Sequence, residues 1–123
     1  MTKSILICED DLALLGVLSE IMSSSGYVVE TARDGIEAIS KVIRSQPNYY
    51  DLILVDHLMP GLNGLGLVRE LRQSEIPSKI IVLSGSLDEA LEAAFNEMGV
   101  KKILSKPNGI MKVAESVKAV LAG

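Results

Sequence analysis

Apolar residues recur along this chain in two rhythms. Four short runs stand at 4–8 (SILIC), 51–55 (DLILV), 79–83 (KIIVL) and 102–105 (KILS), and three of them are continuous rather than alternating. Continuous runs of this length predict strands covered on both faces. A fifth run at 27–32 (YVVETA) alternates in part and predicts a more exposed strand. Between the strands the period lengthens to that of a helix. Residues 11–25 place Leu14, Leu15, Leu18, Ile21 and Met22 on one face, and Gly26 stops the helix. Further helices are predicted at 35–45 (Ile36, Ile39, Val42, Ile43), 64–73 (Leu67, Val68, Leu71), 87–98 (Leu91, Ala94, Phe95, Met98) and 110–122 (Val113, Val117, Val120, Leu121). Strand and helix alternate five times, which predicts an α/β fold of three layers, a five-stranded parallel sheet between two layers of helices.

The residues that follow each continuous run carry the chemistry. The first is followed by Glu9, Asp10 and Asp11, the second by Asp56, the third by Ser84, and the fourth by Lys106 and Pro107. Sites in open α/β sheets form at the carboxyl ends of the strands. Three acids, a hydroxyl and an amine are therefore expected to meet along one edge. Each residue also has a plainer explanation: Asp10 or Asp11 could cap the first helix, Ser84 the helix starting near residue 86, and Lys106 could be a solvated loop lysine. Four strand ends that are all polar in a chemically matched way favour a shared site. A carboxylate closing a buried strand, as Asp56 does, needs a cation, a proton or a task.

Composition narrows the chemistry. The chain has 123 residues, 48% apolar and 23% charged, which suits one domain with one core. No apolar run approaches the roughly 20 residues of a membrane span, and the N-terminus turns acidic before a signal-peptide core could form, so a cytoplasmic protein is expected. The lone Cys8 excludes an internal disulfide, and the lone His57 excludes a multi-histidine metal cluster. The net charge of -4, with no basic stripe, argues against direct binding of nucleic acid. What remains are hard oxygen ligands, which suit Mg²⁺. A lysine and a hydroxyl beside them complete a phosphoryl site, with Asp56 as a nucleophile able to form an aspartyl phosphate.

The motifs LICEDD, LILVDHLMPGLNG, VLSGS and ILSKP, in this order, resemble the receiver domain of two-component response regulators, over essentially the whole of residues 1–123. The resemblance implies a flavodoxin-like sheet of strand order 2-1-3-4-5 with five helices. It implies that Glu9 and Asp10 organise Mg²⁺, with Asp10 as a direct ligand and Glu9 acting partly through water. Asp56 is then both ligand and phosphoacceptor, and the backbone carbonyl of Leu58 a further ligand. Ser84 would hydrogen-bond the phosphoryl group and Lys106 pair with it. The donor would be a phosphohistidine on a histidine kinase or histidine phosphotransfer protein, and the output a changed surface for a downstream protein target. Such a chain is a signalling domain, not an enzyme, though it assists its own phosphorylation and dephosphorylation. The resemblance also implies a cis Lys106–Pro107 bond, and a phosphoryl lifetime sensitive to Leu58 and Ser86.

The chain departs from the family pattern at two places. Ile103 stands where the family usually carries an aromatic residue, and Asn108 and Gly109 follow the Lys-Pro pair. His57 reads as a surface or partner-contact residue turned away from Asp56, Cys8 as a small core hydrophobe, and Lys101 and Lys102 as solvated loop charges. Two rival readings use the same residues. An aspartyl-nucleophile phosphatase of the haloacid-dehalogenase type wants an acid at the position of Leu58. A degenerate receiver acting as an unphosphorylated adaptor would be expected to have lost some of the phosphorylation residues.

Overall fold

The computed structural model describes residues 2–46, 48–59, 61–86, 88–106 and 109–123. Strands β1 (Ser4–Cys8), β2 (Val28–Ala32), β3 (Leu52–Asp56), β4 (Lys79–Ser84) and β5 (Lys102–Ser105) alternate with helices α1 (Leu12–Ser24), α2 (Gly35–Arg44), α3 (Gly64–Gln73), α4 (Glu89–Glu97) and α5 (Ile110–Ala122). The strands form one parallel sheet in the order β2-β1-β3-β4-β5. The fold class and strand order are those expected from the sequence.

The continuous strand runs have a simple cause. Successive side chains of β3 point to opposite faces, and both faces are covered. Leu52 and Leu54 join Ile5, Ile7, Ile81 and Leu83 in a core beneath α1 and α5. Ile53 and Val55 join Leu6, Cys8, Ile80 and Val82 in a second core beneath α2, α3 and α4. The edge strand β2 has only Ala32 fully buried, which accounts for its partly alternating sequence.

Side chains at the strand-to-helix junctions start four of the five helices. Asp11 accepts from the Ala13 and Leu14 N–H groups, Asp34 from Glu37, Asn63 from Gly66 and Asp88 from Leu91. Asp11, not Asp10, is thus the cap of α1, and α4 is capped by Asp88 rather than by Ser84. Freed from capping, Asp10 and Ser84 remain available at the sheet edge.

One helix face differs from expectation. Ile36 and Ile43 of α2 are each 67% exposed, while Gly35, Ala38 and Val42 are buried. A Cβ on Gly35 would lie 2.6 Å from the Leu62 carbonyl oxygen, so the start of α2 approaches the β3–α3 loop too closely for a large side chain. The helix therefore turns Gly35, Ala38 and Val42 inward, with Ile39 half-buried against the same core.

Candidate functional site

The polar residues at the carboxyl ends of β1, β3, β4 and β5 converge on Asp56, the last residue of β3 and 1% exposed. Its Oδ2 accepts a hydrogen bond from Lys106 Nζ at 2.9 Å, and its Oδ1 accepts one from the Leu58 N–H at 3.3 Å. Lys106 is aimed by its own backbone, since its N–H donates to the Ser84 carbonyl at 2.7 Å and so continues the β4–β5 ladder. The same ammonium lies 3.6 Å from Glu9 Oε2.

Glu9 extends β1 by one step through its N–H bond to the Ala32 carbonyl. Its side chain is 1% exposed, held by the Asp11 N–H on Oε2, and Oε1 has no hydrogen-bond partner among the described residues. Asp11 thus has a second role that its cap position hid: its backbone orients Glu9. Asp10 is exposed and completes the group. One carboxylate oxygen from each of Glu9, Asp10 and Asp56 lies within 4.8 Å of the others.

Two ionisations are displaced by this crowding. Burial, then the hydrogen bond and charge of Asp56, push the Glu9 carboxyl up to about 8, against the pull of the Asp11 N–H and Lys106. Burial works to lower the Lys106 ammonium, but the hydrogen bond and charge of Asp56, helped by Glu9 and Asp10, outweigh it and raise its pKa above the ordinary lysine value. The crowded carboxylates thus favour a bound proton or a cation among them. An orphaned buried carboxylate oxygen, a clustered all-oxygen donor set and one exposed member for entry fit a hard divalent ion.

Ser84, 1% exposed at the end of β4, donates its hydroxyl to the Ser86 carbonyl at 2.7 Å. Leu58 is 62% exposed and presents no polar side-chain group. Ile103 is half-buried against the core beneath α2, α3 and α4. Pro107 and Asn108 lie outside the described residues, and with them the expected cis bond after Lys106 and the freer loop read from Asn108 and Gly109.

His57 corrects the sequence reading. It is half-buried, not a plain surface residue, and its ring stands edge-on to Phe95 of α4, centroids 5.6 Å apart at 88°. Strand alternation does turn it away from Asp56, but the face it reaches is covered by α4. Cys8 is buried as expected, and burial pushes its thiol far up, out of the reactive range. Lys101 and Lys102 are exposed.

The family model of the response regulator receiver domain matches residues 5–118. The chain is 33% identical over 121 residues to the alkaline phosphatase synthesis transcriptional regulatory protein PhoP of Bacillus subtilis, covering 98% of this chain and 49% of that protein. It is 34% identical over 121 residues to the transcriptional regulatory protein CpxR homolog of Haemophilus influenzae, covering 97% and 50%. The chain therefore spans about half the length of these relatives. Among solved structures, it superposes on a response regulator receiver protein from Pseudomonas putida with a TM-score of 0.88 at 27% identity, covering 97% of this chain and 98% of that one. A CheY-like receiver domain protein from Methanospirillum hungatei gives 0.90 at 25%, covering 99% and 95%. Among the described residues, no helix is long and apolar enough to cross a membrane. With a family match over residues 5–118, the same strand order and the acid cluster, hydroxyl and lysine at one sheet edge, the chain belongs to the response regulator receiver domains.

Proposed function

We propose that residues 1–123 act as one phosphoacceptor receiver of a two-component or phosphorelay system, taking a phosphoryl group from a partner phosphohistidine onto Asp56. The observation that carries this reading is the environment of Asp56: a buried carboxylate with Lys106 Nζ at 2.9 Å and two further acids clustered beside it.

Asp56 is held by the Leu58 N–H on Oδ1 and Lys106 on Oδ2, so its orientation is set before a donor arrives. A carboxylate oxygen of Asp56 attacks phosphorus, the phosphorus–nitrogen bond breaks, and the imidazole leaves with that electron pair. Glu9, Asp10, Asp56 and the Leu58 backbone carbonyl would hold Mg²⁺, which when bound offsets the repulsion among carboxylates and phosphoryl oxygens. Lys106 follows the new charge from Asp56 onto the phosphoryl oxygens. Ser84 turns its hydroxyl from the Ser86 carbonyl to a phosphoryl oxygen, and that exchange of partners begins the change in surface that a downstream protein reads. The donor is a histidine kinase or histidine phosphotransfer protein in the cytoplasm. No direct contact with nucleic acid is proposed for these residues, whose net charge is -4.

The test is incubation with acetyl phosphate and Mg²⁺ followed by intact mass. One phosphoryl group is expected on the native chain and none on Asp56→Asn. Incorporation by Asp56→Asn at the native level would overturn the assignment.

A further inference from the structure

We propose that His57 is a positioning residue that couples the acceptor strand to α4 through its edge contact with Phe95. The inference rests on the phosphoacceptor reading of Asp56 and goes beyond it by naming the route a change at the site takes through the molecule.

Helix α4 is the most lightly anchored helix of the fold. Phe95 is its only fully buried residue, whereas α3 buries Gly64, Leu67, Val68 and Leu71. At its C-terminal end the Met98 carbonyl accepts from Arg72 Nε at 2.8 Å, and that guanidinium also donates to the Ile76 and Ser78 carbonyls. The helix is thus held at its C-terminal end by Arg72 and seated in the core by Phe95, with only the partly buried Leu91 packed against the core nearer its N-terminus. A shift in the surroundings of Phe95 therefore bears on the main core contact of the helix.

The His57 ring is the neighbour placed to do so. Its backbone is the next link after Asp56 and is held on three sides. The His57 N–H donates to the Leu83 carbonyl at 2.8 Å, one residue before Ser84, and its carbonyl accepts from Gly64 at 2.8 Å and Met59 at 3.2 Å. A Cβ on Gly64 would lie 2.6 Å from the His57 Cα, so α3 closes the remaining side. With the main chain boxed in, a rearrangement at Asp56–Leu58 or at Ser84 is expressed through the imidazole. Nδ1 of that ring is buried without a hydrogen-bond partner among the described residues, and Phe95 is its edge-on aromatic neighbour.

The experiment follows backbone amide shifts in the intact chain while beryllofluoride, a stable phosphoryl mimic, is added with Mg²⁺. In the native protein, amides of Glu9, Asp10, Leu58 and Lys106 should shift together with those of residues 89–97. In His57→Ala the site amides should still respond, while the α4 response falls by about twofold or more. His57→Phe, which keeps a ring edge against Phe95, should restore it. Where His57→Ala opens a cavity that prevents folding, His57→Leu keeps the volume without the ring and should show the same loss. Ile103→Ala, which alters the same core layer from β5, should leave the α4 response in place. An undiminished α4 response in a folded His57 variant with a saturated site overturns the proposal and leaves the acceptor reading intact. Failure of the native site amides to respond overturns both.

Discussion

At the amino end of the sheet, polar groups are given partners; at the carboxyl end, a strand length away, acids are crowded together and one buried carboxylate oxygen is left without a partner among the described residues. The Ser4 N–H donates to Asp51 Oδ2 at 2.8 Å and the Asp51 N–H returns a bond to the Ser4 carbonyl. The buried Ser78 hydroxyl donates to the Tyr50 carbonyl, Arg72 serves three carbonyls, and Lys79 Nζ ties down the Val120 and Gly123 carbonyls at the end of α5. At the other end Glu9 Oε1 has no partner among the described residues, and the carboxyl groups of Glu9, Asp10 and Asp56 crowd together. One end contributes stability, while the other gives some up for a site that binding partners complete.

The sharpest way to break this contrast is through Glu9. Its carboxyl is raised in the folded chain, so folding favours its protonated form. In the metal-free protein this group is neutral with respect to stability below the ordinary carboxyl range. Stability then falls as pH rises from that range to about 8, where the full penalty is reached. Mg²⁺ held at this cluster would compete with the proton, so affinity is expected to rise with pH up to about 8. Isothermal titration at pH 6, 7 and 8 checks this. Glu9→Gln should flatten both the affinity and the stability profiles; a flat profile in the native protein would mean that the site holds no such proton.

Next in size is Arg72 at the well-satisfied end. Arg72→Ala frees three carbonyls and unpins α4, and a loss of about 2 kcal/mol is expected in urea unfolding. Mg²⁺ affinity should barely change, because the clamp lies at the far end of the strands. If affinity fell in step with stability, the two ends would not be separable.

A smaller effect is expected at Leu58. This exposed side chain offers nothing to hydrogen-bond an attacking water, so Leu58→Asn or Leu58→Gln should speed decay of the aspartyl phosphate by several-fold, on the order of 1 kcal/mol in barrier. The decay rate at saturating Mg²⁺ decides, and equal rates in all three proteins would place control of lifetime elsewhere.

The smallest change sharpens the comparison at the stable end. After α1 and α4 the chain turns through Gly26 (φ +94°) and Gly99 (φ +76°), but after α3 it turns through Glu75 at φ +58°. All three turns close alike, with the Tyr27, Val100 and Ile76 N–H groups bonding back to Met22, Phe95 and Leu71. Glu75→Gly should therefore stabilise by about 1 kcal/mol, read as a higher urea midpoint, with no change in phosphorylation.

Much of this molecule is legible without coordinates because burial on both faces writes a strand as an unbroken apolar run. The five strands, five helices and four polar strand ends follow from that rule and from helical period. The site residues Glu9, Asp10, Asp56, Ser84 and Lys106 are legible because parallel strands deliver all their carboxyl ends to one edge. The strand order itself came from family resemblance; local pattern says which residues form a strand, not which strand lies beside it. Tertiary structure alone decided how α2 is rotated: Ile39 and Val42 pack inward as the period predicts, but Gly35 and Ala38 take the remaining inward places and leave Ile36 and Ile43 exposed. The close approach of Leu62 to Gly35 leaves no room there for a larger side chain. It decided that His57 meets Phe95, because alternation fixes the face a side chain takes but not the helix that covers it. It also created the Arg72 clamp, whose partners are backbone carbonyls and so leave no mark in the order of side chains.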